Sequence, residues 1–265
     1  MSSCLSMLPL TRRISNSFSM TFGCCKLSGE LGTFAKAHVI PKAFFITDGS
    51  VRRITSDQSD RPRRAPIGLY DSRLVVRKTE QWLATLDDYG VRFMRGQIGN
   101  ARGIYRGGEL LAYEVQGLDY ARLKLFFLSV LWRCGASERP ELSAFSLGDE
   151  QERLRQMIVN EDPGTANDFA VVMVKYSVAD PVVPVTTPVR EEREGLNFAR
   201  ATFGSARILW KVEPAELTGP MREIALCPTK PWVVGAHNWY ESDDRKTAQE
   251  LVRDTEARYG AFWTG

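Results

Sequence analysis

Histidine is nearly absent from this chain: His38 and His237 are the only two in 265 residues. Imidazole chemistry therefore rests on His38, because His237 sits in Gly235-Ala-His-Asn-Trp239-Tyr240 and reads as a turn or surface residue. Cysteine is scarce too. The five present (Cys4, Cys24, Cys25, Cys134, Cys227) have no disulfide-framework spacing and an odd count, which predicts free thiols in a reducing, cytoplasmic setting. No apolar run is long enough for a bilayer. The longest, Leu123 to Trp132, contains Lys124 and is flanked by Arg122 and Arg133, so a soluble protein without membrane attachment is expected. No internal repeat or low-complexity array is present, and a hydrophobic content of 43% excludes disorder of the whole chain.

What is there is a spaced set of motifs in the first third. The chain runs Cys25-Lys-Leu-Ser28, then Lys36-Ala-His38-Val-Ile-Pro41-Lys42, and later Leu74-Val-Val76-Arg-Lys-Thr79-Glu80. These segments resemble a bacterial HNH-endonuclease-like family in which a short-spaced cysteine pair precedes His-Ile-Ile-Pro-Lys and a second Cys-x-x-Cys-Glu follows. Further stretches also resemble it: Glu80 to Tyr89, Leu123 to Arg133, Leu147-Gly148 and Glu152 to Arg155. The resemblance covers roughly residues 20 to 240. Only Cys25 of the four cysteine positions remains; the others fall on Ser28, Val76 and Thr79. A structural zinc needs four thiolate or imidazole ligands, which two hydroxyls and a valine do not supply. The zinc site is therefore expected to be lost, with no resident metal, and this region to close by apolar packing.

The resemblance implies that His38 acts as a general base toward phosphorus, with magnesium or manganese on nearby carboxylates if the protein is active. Glu80, Asp87 and Asp88 are the candidate carboxylates. On a helix Glu80 and Asp87 share one face, seven residues apart. The plainer readings stand beside these: a strand-end histidine with a satisfied hydrogen bond, and a solvated or helix-capping aspartate pair.

Charge is uneven although the net is only +3. Residues 1–78 hold 13 Lys and Arg against 5 Asp and Glu, and the remainder is acidic. Within the basic part, Lys42, Arg52, Arg53, Arg61, Arg63 and Arg64 are candidate nucleic-acid contacts. The arginine-rich loop lacks aromatic residues, which suits phosphates rather than bases. A solvated basic loop is the alternative. Residues 1–19, with six serines, two arginines and no acid, read as a disordered leader, an over-extended start or a targeting segment.

The coarse pattern predicts an α+β fold: a degenerate HNH or treble-clef-like module over 20–100, then a helical and β-rich unit over 101–265. Helices are expected over 79–95, from a capping Asp119 to Cys134 as the central buried element, from Ser146 to near Asp162 with acidic residues in its first turn, and over 241–259. Antiparallel strands are expected over 168–176, 231–235 and a hairpin at 196–212 turning at Gly204-Ser205. Three functions follow: a nucleic-acid-binding relic of a nuclease, with defence against phage as a setting; an active metal-dependent endonuclease; or a protein-interaction subunit using Trp210, Trp232 and Trp239.

Overall fold

A computed structural model describes residues 21–45, 55–56, 68–176, 185–246, 249–250 and 253. The candidates Arg52, Arg53, Arg61, Arg63 and Arg64, the leader, and most of the expected 241–259 helix lie outside these residues.

At the amino end, strands β1 (Phe22–Cys24) and β2 (Leu31–Thr33) form a hairpin, with Cys24 opposite Leu31. A two-residue ribbon follows from β3 (Ala37–His38) and β5 (Tyr70–Asp71), with Ala37 opposite Asp71 and His38 opposite Tyr70. β4 (Thr55–Ser56) leaves this part and pairs parallel with β9 (Val185–Thr186) in the large sheet.

Helix α1 spans Arg77–Arg95 and α2 spans Tyr120–Ala136, both close to the expected limits. Asp119 caps α2 as its sequence position suggests, its carboxylate accepting from the Arg122 amide at 3.0 Å. Every residue from Leu123 to Cys134 is buried, because α2 lies between α1 and the sheet. Gly90 of α1 permits that approach: a Cβ there would lie 2.2 Å from the Phe126 ring. Helix α3 (Glu150–Val159) carries Glu150 and Glu152 in its first turn, where the helix dipole favours negative charge.

Among the described residues nine strands make the main sheet, in the order β4-β9-β11-β12-β8-β13-β7-β6, with β10 (Val189–Arg193) on the same edge of β11 as β9. The others are β6 (Arg102–Arg106), β7 (Glu109–Val115), β8 (Val171–Tyr176), β11 (Leu196–Phe203), β12 (Ala206–Lys211) and β13 (Trp232–His237). The β11–β12 hairpin turns at Gly204-Ser205 as expected.

The expectation of an antiparallel sheet needs correction. β13 runs parallel to β8, pairing Gly235 with Val174, so the sheet is mixed. The β6–β7 hairpin, which precedes α2 in the chain, forms its far edge. Gly107 and Gly108, at φ 60° and 89°, supply the left-handed turn between them.

Strand alternation sorts the two faces. Met173, Ala201, Ile208, Trp210, Trp232 and Val234 point toward the helices, in one core that also holds Cys25, Leu27 and Val76. No packing boundary therefore separates the two parts at residue 100. Val172, Phe198 and Leu209 point the other way, against Leu217, Ala225 and the short α4 (Gly219–Ile224). Trp210 and Trp232 are fully buried, with the Phe127 ring edge-on to both, and Trp239 is buried against Tyr176. A tryptophan-built partner surface is thereby overturned: these rings are core. No described helix is long and apolar enough to cross a membrane.

Candidate functional site

The four positions read from the sequence as altered zinc ligands meet at one point. A tight turn brings the chain from β1 to β2, the Gly29 amide donating to the Cys25 carbonyl at 2.9 Å and the Cys25 amide to the Glu30 carbonyl at 2.9 Å. The strand-like segment before α1 runs alongside. Lys26 donates to the Leu74 carbonyl, Ala35 to that of Val75, and Phe34 bridges to Val76, the residue that precedes α1.

The first turn of α1 consequently faces the hairpin turn, in contacts that link residues about fifty positions apart. The Cys25 thiol donates to Thr79 Oγ1 at 3.4 Å and accepts from the Ser28 amide at 3.4 Å; Thr79 Oγ1 lies 3.4 Å from Ser28 Oγ. Burial works to raise the thiol's pKa, but hydrogen bonds from Ser28, Thr79 and the Val76 backbone outweigh it and hold Cys25 below its ordinary value. An open cleft of about 280 Å³ adjoins the cluster, with Ser28, Thr79, Trp82 and Glu161 among its walls.

A second cluster forms around His38. Its amide donates to Glu80 Oε1 at 3.3 Å, and its carbonyl accepts from Arg133 Nη1 at 2.8 Å. Arg133, on α2 and fully buried, also holds both oxygens of Asp87 at 2.9 and 2.6 Å and donates to the Ser129 carbonyl. Of the sequence candidates, His38, Glu80, Asp87 and Lys42 are thus brought together, with Glu80 and Asp87 on the same face of α1. Asp88 is exposed, and its carbonyl accepts from Arg92. Lys42 opens the 3-10 turn Lys42–Phe45 and is exposed.

The electrostatics are lopsided. Burial, then the positive charges of Arg133, Lys42 and Lys36, hold the His38 imidazole below its usual range, with Asp87 opposing. It is a neutral base at pH 7. Burial raises Glu80, whose Oε2 has no hydrogen-bond partner among the described residues. Tyr70, opposite His38, carries the Lys36 ammonium 3.8 Å above its ring.

Arg133 was not among the sequence candidates. Its signal was present all the same: a charge at the end of a largely apolar run, where the helix is still buried, needs a partner. No three His, Cys, Asp or Glu among the described residues gather as a metal site. Asp87 spends both oxygens on a guanidinium, whereas Glu80 Oε2 has no hydrogen-bond partner among the described residues and Asp88 is exposed. No known protein family, curated protein or solved structure matches the chain.

Proposed function

We propose that this protein is a nucleic-acid-binding relative of the HNH nucleases whose zinc-bearing module is held by side-chain contacts. One observation carries the reading: Cys25, Ser28, Val76 and Thr79, the positions that the resemblance marks as the family's four cysteines, converge from two separate segments. A hairpin turn facing the first turn of a helix is also how a treble clef presents its four ligands. The cationic surround of His38 suits a phosphodiester, with Lys36 and Lys42 as phosphate contacts and His38 as a neutral acceptor beside them.

Two measurements test the two halves of this proposal. The triple variant Ser28→Cys, Val76→Cys, Thr79→Cys is expected to take up one zinc per chain with tetrathiolate spectra on cobalt substitution; no uptake by the folded variant rejects the module. Fluorescence anisotropy with labelled DNA and RNA is expected to show affinity falling steeply with salt. Lys36→Ala plus Lys42→Ala should reduce the slope of log K against log salt by about 2. Absent or salt-insensitive binding rejects nucleic acid as the partner.

One observation favours the active-enzyme reading: burial and the charge of Arg133 hold the half-buried His38 imidazole below its ordinary pKa. Metal-dependent cleavage of plasmid that disappears in His38→Ala would establish it, and cleavage that survives the change would remove His38 from the chemistry.

A further inference from the structure

Lys124 is fully buried on α2, and its Nζ has no hydrogen-bond partner among the described residues. A charged ammonium in that position lacks an acceptor, a cost no folded chain tolerates without a compensating arrangement. The charged groups that face it are Asp168 and Lys211, with Arg153, Glu150 and Glu213 behind Lys211. Asp168 is the only carboxylate among the two nearest, and it is already engaged. Its Oδ2 accepts from the Thr165 amide at 2.9 Å and the Thr165 hydroxyl at 2.7 Å, and its Oδ1 accepts from Arg153. Lys211, likewise buried, donates to Asn167 and the Ala215 carbonyl.

The loop that holds these acceptors is under strain. Glu161 and Phe169 adopt left-handed φ values of 53° and 43°, unfavourable for residues with a Cβ. It is tied to α2 by Tyr120, whose hydroxyl donates to the Gly164 carbonyl at 3.2 Å. At its start, Val159 and Glu161 form part of the cleft beside Ser28 and Thr79. A change in this loop therefore reshapes that cleft.

We propose that Lys124 is a proton-operated latch on the 161–169 loop. Uncharged, it lies in the apolar layer while Asp168 holds Thr165 and the loop stays closed. Charged, it takes Asp168 as its counter-ion, which releases the Thr165 amide and hydroxyl and loosens the loop at the cleft. The proton comes from solvent, and no covalent step is involved. Burial depresses the Lys124 amine to about 7, Asp168 pulling it up and Lys211 pushing it further down, so the latch operates near neutrality.

The test is an amide-resolved NMR titration of the full chain between pH 5.5 and 8.5. The Thr165 amide resonance is expected to move in a single step near neutrality. After correction for intrinsic exchange, its hydrogen exchange is expected to be at least tenfold slower at pH 8 than at pH 6. In Lys124→Met the resonance should stay fixed and protected throughout. Asp168→Asn, a second variant that keeps the side-chain shape, should abolish the step by removing the counter-ion. A Thr165 resonance that does not move in the unmodified chain overturns the latch. So does a step that persists in Lys124→Met, which would assign the titration to another group.

Discussion

Two cations, Lys124 and Arg133, lie nine residues apart on the same helix, both fully buried, and their fates are opposite. Arg133 faces α1, where Asp87 answers it with two hydrogen bonds, and its charge is reinforced above its ordinary pKa despite complete burial. Lys124 faces the 161–169 loop, where the acceptors are committed to Thr165 and Arg153, and burial drives its amine down. Burial alone does not decide what a charge does in a core. The geometry of the nearest carboxylate does: a planar guanidinium matches both oxygens of Asp87, whereas a point-like ammonium has none to itself.

The largest expected effect comes from breaking the answered charge. Asp87→Ala leaves the Arg133 guanidinium buried with only carbonyl and hydroxyl acceptors, and should cost about 3–5 kcal/mol in urea unfolding. It should also disturb His38, whose carbonyl Arg133 holds. Replacing both partners at once, Arg133→Met with Asp87→Leu, should recover much of that loss. If the double change is as harmful as the single one, the pair's role is shape rather than charge.

Removing the unanswered charge should act in the other direction. Lys124→Met is expected to stabilise the protein at pH 7 by about 4 kcal/mol, since burial lowers the amine from 10.5 to about 7 and each unit of depressed pKa is worth about 1.4 kcal/mol. The sign fixes the pH window. The folded amine titrates near 7 and the unfolded one near 10.5, so the unfolded chain binds more protons between them. Stability due to Lys124 therefore rises with pH across that window, and the full penalty is present below it. The advantage of Lys124→Met should shrink steadily from pH 7 to pH 10, measured by urea midpoints of the two proteins side by side. A constant difference would mean that Met gains by packing alone.

The same contrast explains what could be read from the chain beforehand. The limits of α1 and α2, the presence of α3, the Asp119 cap and the Gly204-Ser205 hairpin were legible because each depends on neighbours within one helical turn or one tight turn, whereas α3 itself, Glu150–Val159, is shorter at both ends than expected. The Gly107-Gly108 turn was equally local and was overlooked, although two glycines between apolar strands are a hairpin signal. The parallel pairing of β13 with β8 was not legible, since it joins residues about sixty positions apart with no local mark. For the site, the resemblance to the HNH-like family marked Cys25, Ser28, Val76 and Thr79 as four positions expected to meet, which nothing in their own side chains would have done. Arg133 and Lys124 were visible as charges in an apolar helix, but which of them would find a carboxylate depended on the packing of α1 and the 161–169 loop.

The knuckle around Cys25 extends the comparison to neutral groups and gives the smallest expected effect. Here the Cys25 thiol, the Ser28 amide and the Thr79 and Ser28 hydroxyls answer one another at about van der Waals margin, 3.4 Å in each of three contacts, where a metal-bound arrangement would be far stronger. Thr79→Val keeps the side-chain shape and deletes one hydroxyl, so it should cost only about 1 kcal/mol. It should also let the Cys25 pKa rise, because Thr79 is among the groups that hold it down. Thiol reaction rates as a function of pH, measured on a variant in which Cys4, Cys24, Cys134 and Cys227 are replaced by alanine or serine, report that shift directly. If Thr79→Val leaves the thiol's titration unchanged, the bond is too weak to matter, and the turn of the hairpin against α1 is held by Leu27, Val76 and the backbone ladder instead.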